Sequence, residues 1–339
     1  MLMELKSKKK YLKNRSIKVL RKRKNRKRKK YIISENFARI LLKKNPTFVR
    51  VTAPQKLTLQ YEDVVEVLNF IELIKKLAKK GYFIDLNLQN VTEIGEGAIA
   101  MLLSVLSDLE RREIFFKGSK PLVEDANNIL EKSGFFEHLK GSISKKNSIS
   151  KNKILKTGIE TTNQDILIPQ IHSAMNTVWG KDSRCPPLYG GISEMMRNSC
   201  DHAFLNKKSI IWHLGISHFE NDNCCKFSFV DNGVGIIKTY NQKGLIAKIS
   251  NYFQGDADIL YNAFKNGIES RTGLKWRGKG LPTIFEMYED NIINNLVVIT
   301  NNIYLDYDRK IFKKLPVGFS GTYYFWQINQ TCHPPFTLL

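Results

Sequence analysis

Cysteine is scarce in this chain, and no two cysteines are spaced for metal. The five are Cys185, Cys200, Cys224, Cys225 and Cys332. No Cys-x-x-Cys pair occurs among them, which argues against a zinc site. Cys224 and Cys225 are neighbours and could bridge each other only under strain. The pattern fits reduced thiols in a cytoplasmic protein. Long apolar runs are also missing. None approaches the ~18 residues of a membrane-crossing helix, so no transmembrane segment is expected. No apolar h-region follows the basic N-terminus, which argues against a secretory signal. Acids are the third shortage: 32 Asp and Glu stand against 54 Lys and Arg, a net charge of +22.

Most of that excess is local. Between Met1 and Lys30 there are sixteen lysines or arginines and one acid, Glu4, which is +15 of the +22 and leaves about +7 for the rest. Such a segment cannot bury enough apolar surface to fold alone, and its like charges extend it. Residues 1–30 are therefore expected to be a disordered basic tail. Two uses stay open. One is an arm for RNA, DNA or anionic lipid; the other is a solvated leader with no partner. Tyr11 is the one aromatic in the tail, so any nucleic-acid contact would be salt-sensitive and to the backbone.

The length, 339 residues, suits roughly two domains. The first is expected over residues 31–139. Val64, Val67, Leu68, Ile71, Ile74 and Leu77 form one stripe of a helix from Asp63 to Lys80, which Gly81 ends. Tyr82 to Leu88 alternates as a strand. Gly97 to Arg111 reads as a second apolar helix, Ile114 to Lys117 as a short strand, and Pro121 as the opening of a third helix. Strand alternating with helix argues for an α/β layer.

The segments Ile84 to Leu106 and Ala126 to Leu139 carry a resemblance to STAS-type domains, the fold of anti-sigma-factor antagonists. That family usually has a phospho-acceptor serine at the start of the second helix. Here the turn is Ile94-Gly95-Glu96-Gly97, with no hydroxyl at that position. Glu96 is either a fixed negative charge in its place or an ordinary charge at a helix start. Residues 140–157, rich in Ser, Lys and Asn, read as a linker.

Three short polar segments stand out in residues 158–339. Leu188 to Phe204 reads as a helix with Glu194, Asn198 and Asp201 at i, i+4 and i+7, on the face opposite its apolar residues. Hard oxygen donors in a row suit a hydrated Mg²⁺, and a carboxylate one turn away could activate water. Lys226 to Ile236 reads as a buried strand running into Asp231-Asn232-Gly233-Val234-Gly235, where glycines let a ligand approach the backbone. Arg271 to Glu289 places Gly278, Lys279 and Gly280 before a helix, an arrangement suited to phosphate. Each segment also has a plain reading: a solvent-facing helix, an Asp-Asn-Gly turn, a loop before a helix. His202 reads as a packing or capping residue.

Together, in this order, the three segments resemble the N, G1 and G2 boxes of the GHKL (histidine kinase-like, Bergerat-type) ATPases, over about Pro187 to Ile328. The resemblance implies ATP and Mg²⁺ as ligands. It implies Glu194 as general base, Asn198 as the Mg²⁺ ligand and Asp231 as acceptor of the adenine amino group. Gly233 and Gly235 would form the turn beside adenine and ribose, Gly278 and Gly280 would lie under the phosphates, and Thr322 on a closing strand, Gly321 to Ile328, would complete the adenine pocket. Pro282 stands where the family commonly has the last glycine of the third box, which removes one backbone donor. Val234 to Arg277 would be the ATP lid, with Arg271, Lys275, Arg277 and Lys279 near the phosphates and Trp276 among them.

The expected fold class is therefore α/β (α+β): a STAS-like domain, then an α/β sandwich whose mixed sheet carries helices on one face. Three functions are compatible with it. One is an Mg-dependent ATPase-type switch acting on an unidentified protein partner. Another is a protein serine/threonine kinase of the anti-sigma-factor type. The third is a non-enzymatic ATP-binding sensor held to RNA or DNA by residues 1–30.

Overall fold

Residues 47–139, 153–157, 164–206, 211–242, 255–267 and 280–335 are described by the computed structural model. The basic tail lies outside them. The architecture is mixed α/β, with parallel and antiparallel sheets.

Strands β1 (Phe48–Thr52), β2 (Lys56–Leu57), β3 (Phe83–Asn87), β4 (Glu93–Ile94) and β5 (Phe116–Ser119) form two small sheets. β3 pairs with β5, and β2 with β4, in parallel. Helix α1 (Val64–Lys79) buries Val64, Val67, Leu68, Ile71 and Ile74, five of the six residues in the stripe that the 3.6-residue period predicts, and leaves Leu77 half-buried. Helix α2 (Glu96–Arg111) buries residues all round, from Gly97 through Ser107 to Leu109, so it has partners on more than one side. Helix α3 (Glu124–Lys132) starts three residues after Pro121, because Val123 is still extended. β5 starts two residues later than expected. Glu113, in the left-handed region, and Ile114, bonded back to Leu109, are used to close α2.

The second sheet has the order β6-β7-β8-β10-β9, with β6 (Lys153–Thr157), β7 (Trp212–Phe219), β8 (Cys224–Asp231), β9 (Asn294–Asp306) and β10 (Ile311–Ile328). Every neighbouring pair is antiparallel, so the expected mixed sheet is corrected to an antiparallel one. β6 also shortens the expected linker 140–157, since its last five residues form the sheet edge against β7. One face carries α4 (Leu167–Trp179), α5 (Pro186–Asn206), α6 (Ile236–Gln242), α7 (Asp256–Asn266) and α8 (Gly280–Glu289). Phe227, Phe229, Tyr324 and Trp326 fill the core on this side, with the Phe227 and Trp326 rings stacked at 5.3 Å. α7 falls inside the expected lid, yet Ile259, Leu260, Ala263 and Phe264 bury one of its faces in that core.

Helices on one face were expected; the sheet is covered on both. α1 and α2 lie against its other side, and Val230, Ile299, Tyr304, Phe319 and Tyr323 join their core. The strands show the cause. β7 is buried at seven consecutive residues and β8 at seven of eight, without the in–out alternation of a half-solvated strand. Val49–Leu339 accordingly forms one compact unit.

Candidate functional site

α5 is the rigid platform of the site. Ile192, Met195, Met196 and Ser199 face the sheet and are buried, which turns Glu194 and Asn198 along another side. Close packing on α8 fixes the pairing of the two helices: a β-carbon on Gly191 would fall 2.2 Å from the methyl carbon of Met287. α8 begins at Gly280, and its first residue meets α5. A β-carbon on Gly280 would lie 2.8 Å from Glu194 Oε2 and 3.2 and 3.3 Å from the Asn198 amide atoms. Residues about eighty positions apart in the chain are thereby brought together.

At the other wall, β8 ends at Asp231, 7% exposed and paired in register with Thr322 of β10. Its Oδ1 accepts the Gly233 N–H at 2.7 Å, closing an Asx turn, and its Oδ2 accepts the Ser199 hydroxyl at 3.1 Å. Thr322 also donates to it. Burial raises the Asp231 pKa from 3.8 to about 6, and the hydrogen bonds from Gly233, Ser199 and Thr322 only partly offset this. The carboxylate is therefore ionised at neutral pH but held at a cost.

Between these walls lies a narrow cleft, partly open to solvent, lined among others by Met195, Asn198, Asp231, Gly233, Gly235 and Thr322. Val234, Ile236, Leu281 and Tyr324 add apolar wall, and Thr239 a hydroxyl. A flat, partly apolar ligand could lie on this wall, with one end at Asp231 and the other leading towards Gly280.

The structure brings Asn198, Asp231, Gly233, Gly235 and Thr322 onto one cleft and Gly280 beside Asn198. Glu194 is on the same helix face, but its carboxylate is ion-paired with Arg197 one turn on and does not line the cleft. Gly278, Lys279 and the basic residues Arg271, Lys275 and Arg277 lie outside the described residues, as do the side chains of Asp201 and His202. Sequence reasoning missed Ser199, Thr300 and Asn301. Ser199 carried a legible signal, since it follows Asn198 on the helix and faces Asp231. Thr300 and Asn301 carried none, because they act from the far strand β9.

Comparison with protein-family models gives no match, and comparison with curated proteins gives none either. No helix among the described residues is long and apolar enough to cross a membrane.

Proposed function

We propose that the chain binds Mg-ATP in this cleft and acts as a nucleotide-driven conformational switch on a protein partner, with slow hydrolysis. In this reading residues 153–335 form a Bergerat-type sandwich, and residues 47–139 a STAS-like layer on its back. The observation that carries it is the Asp231 carboxylate. It is buried at the end of the cleft, ionised at neutral pH, and oriented by Gly233, Ser199 and Thr322. A buried acceptor of this kind fits an exocyclic amine, which donates; a carbonyl oxygen in the same place would be repelled.

The donor set also suits magnesium brought by a triphosphate. Among the described residues no group of three His, Cys, Asp or Glu could hold a metal, so the chain offers no metal cage there. Asn198 would supply one amide oxygen, with phosphate oxygens and water making up the shell. Bound there, the ion would neutralise phosphate charge. Gly280 would bring backbone close to the phosphates, and Glu194, once released from Arg197, would be the base.

The kinase reading meets an obstacle in this chain. The start of α2, where STAS domains carry their acceptor serine, is packed on Tyr323 and has no hydroxyl, so transfer would have to be to another molecule. ATP binding and phosphate release on wild type, Asp231→Asn and Glu194→Ala test the proposal. Asp231→Asn should lose ATP binding; Glu194→Ala should bind ATP and release no phosphate. Wild-type ATP affinity in Asp231→Asn would overturn the assignment.

A further inference from the structure

The start of α6 is capped from another strand. In an isolated helix the first backbone N–H groups have no partner. Here the Ile236 N–H donates to Thr300 Oγ1 at 2.9 Å, and the Lys238 N–H donates to Asn301 Oδ1 at 3.2 Å. The other half of the Asn301 amide donates from Nδ2 to the Val234 carbonyl at 2.8 Å. One buried side chain thus ties the Gly233–Gly235 turn, at Val234, to the first turn of α6, at Lys238; the turn lines the cleft opposite α5.

Neighbouring residues on a regular strand point to opposite faces, so Thr300 and Asn301 should not reach the same helix end. They do because Asn301 is left-handed, with φ 53°. The irregularity is shared with β10, where Thr322 faces Thr300 but Phe319 faces Asn301. Ser320 and Gly321 are extra residues in the partner strand, as in a bulge. Asparagine meets both demands at once. It tolerates the left-handed region better than most residues, and it carries a donor and an acceptor on one planar group. The fit is close: a β-carbon on Gly235 would lie 2.5 Å from the Asn301 amide nitrogen.

We propose that Asn301 is a positioning residue for the bound ligand, holding the Gly233–Gly235 turn and the α6 start at the distance from Asp231 that the ligand requires. The clamp itself stands on geometry; its effect on affinity rests on the nucleotide reading above. Thr300 does the same for Ile236 and also donates to the Gly321 carbonyl, tying the turn to the β10 bulge.

Asn301→Gly separates the two roles. Glycine adopts the left-handed backbone freely, so a residue needed only for its backbone would be replaced without loss. The clamp predicts about tenfold weaker ATP binding in Asn301→Gly, the effect of roughly one hydrogen bond, and faster hydrogen exchange at the amides of Ile236 to Thr239. Wild-type affinity in Asn301→Gly would overturn the positioning role, whatever the exchange rates. If wild type itself binds no ATP, the nucleotide reading falls, and exchange decides the clamp: wild-type protection at Lys238 in Asn301→Gly would overturn it too.

Discussion

Gly97 of α2 lies so close to Tyr323 of β10 that a β-carbon on it would fall 2.0 Å from the phenol oxygen and 2.8 Å from the ring carbon that bears it. The contact joins the two halves of the chain. Tyr323 points to the α2 side of the sheet, and Thr322, the residue before it, lines the cleft on the other. Gly97→Ala should therefore destabilise the protein by about 1–3 kcal/mol, the usual effect of overpacking. Tyr323→Phe removes the nearest atom and should restore part of the loss in the double variant. Urea unfolding of the four proteins in the cycle measures the coupling. Strict additivity would mean that the two residues do not press on each other.

Gly280→Ala places a methyl group among Glu194 Oε2 and the Asn198 amide. Both are ends of side chains able to move, so the fold should lose little, within about 1 kcal/mol. Their alignment at the cleft should suffer more. ATP binding weaker by about tenfold or more, with an unfolding midpoint near wild type, is the expected pair of results. It corresponds to roughly 1.4 kcal/mol of binding. Unchanged ATP affinity would mean that the α8 start is not part of the ligand site.

The parts legible in sequence were those whose signal is local. The stripe Val64, Val67, Leu68, Ile71, Ile74 and Leu77 declared α1; all but the half-buried Leu77 are buried. Asp231 with Gly233, and Glu194 with Asn198, are short signatures that need no knowledge of the far chain. What stayed hidden depends on tertiary partners. β7 and β8 lack alternation because both faces are covered, but a run such as Trp212 to Ile216 does not say by what. β6 falls in a polar stretch, where Lys153 and Lys156 flank the pair Ile154-Leu155 and Ile154 is buried, so its pairing with β7 overrides composition. Asn301 and Asn302 interrupt the apolar run of β9. The left-handed turn that gives Asn301 its reach is made by packing on β10.

Lys75 of α1 is half-buried against the same bulge. Its Nζ donates to Ser320 Oγ at 2.7 Å and sits 4.8 Å above the Phe319 ring. Burial lowers its pKa from 10.5 to about 8; Glu72 and Asp108 act against the fall, and Lys238 adds to it. The folded pKa is below the unfolded one, so between these values the unfolded chain holds more protons and stability rises with pH. Lys75→Met removes this group alone. The stability of wild type relative to Lys75→Met should therefore improve from about pH 7.5 to about pH 9.5, as followed by urea unfolding at both. Using the difference cancels every group that the two proteins share. A difference that does not change with pH would show that Lys75 is solvated.

Asp231 gives the prediction closest to the proposed chemistry. Its folded pKa, about 6, lies above the ordinary 3.8 because of burial. The folded state then holds more protons between these values. The protonated carboxyl contributes stability below about pH 4 that is lost as pH rises through 6. The full loss is about 3 kcal/mol at one pKa unit per ~1.4 kcal/mol. A ligand amine reverses the balance, since it donates more strongly to the carboxylate than to the neutral acid, whose O–H is a competing donor. Adenosine has no phosphate to titrate and isolates this effect. Its affinity should be flat above about pH 7 and fall towards tenfold per unit below about pH 6, with protons released on binding near the midpoint. Ser199→Ala removes a donor that stabilises the ionised form, so its midpoint should move to higher pH. Calorimetric titrations in buffers of different ionisation enthalpy count the released protons directly. Adenosine binding that is level through this range, with no proton release, would place the amine away from Asp231 and leave that carboxylate as a turn-former for Gly233 alone.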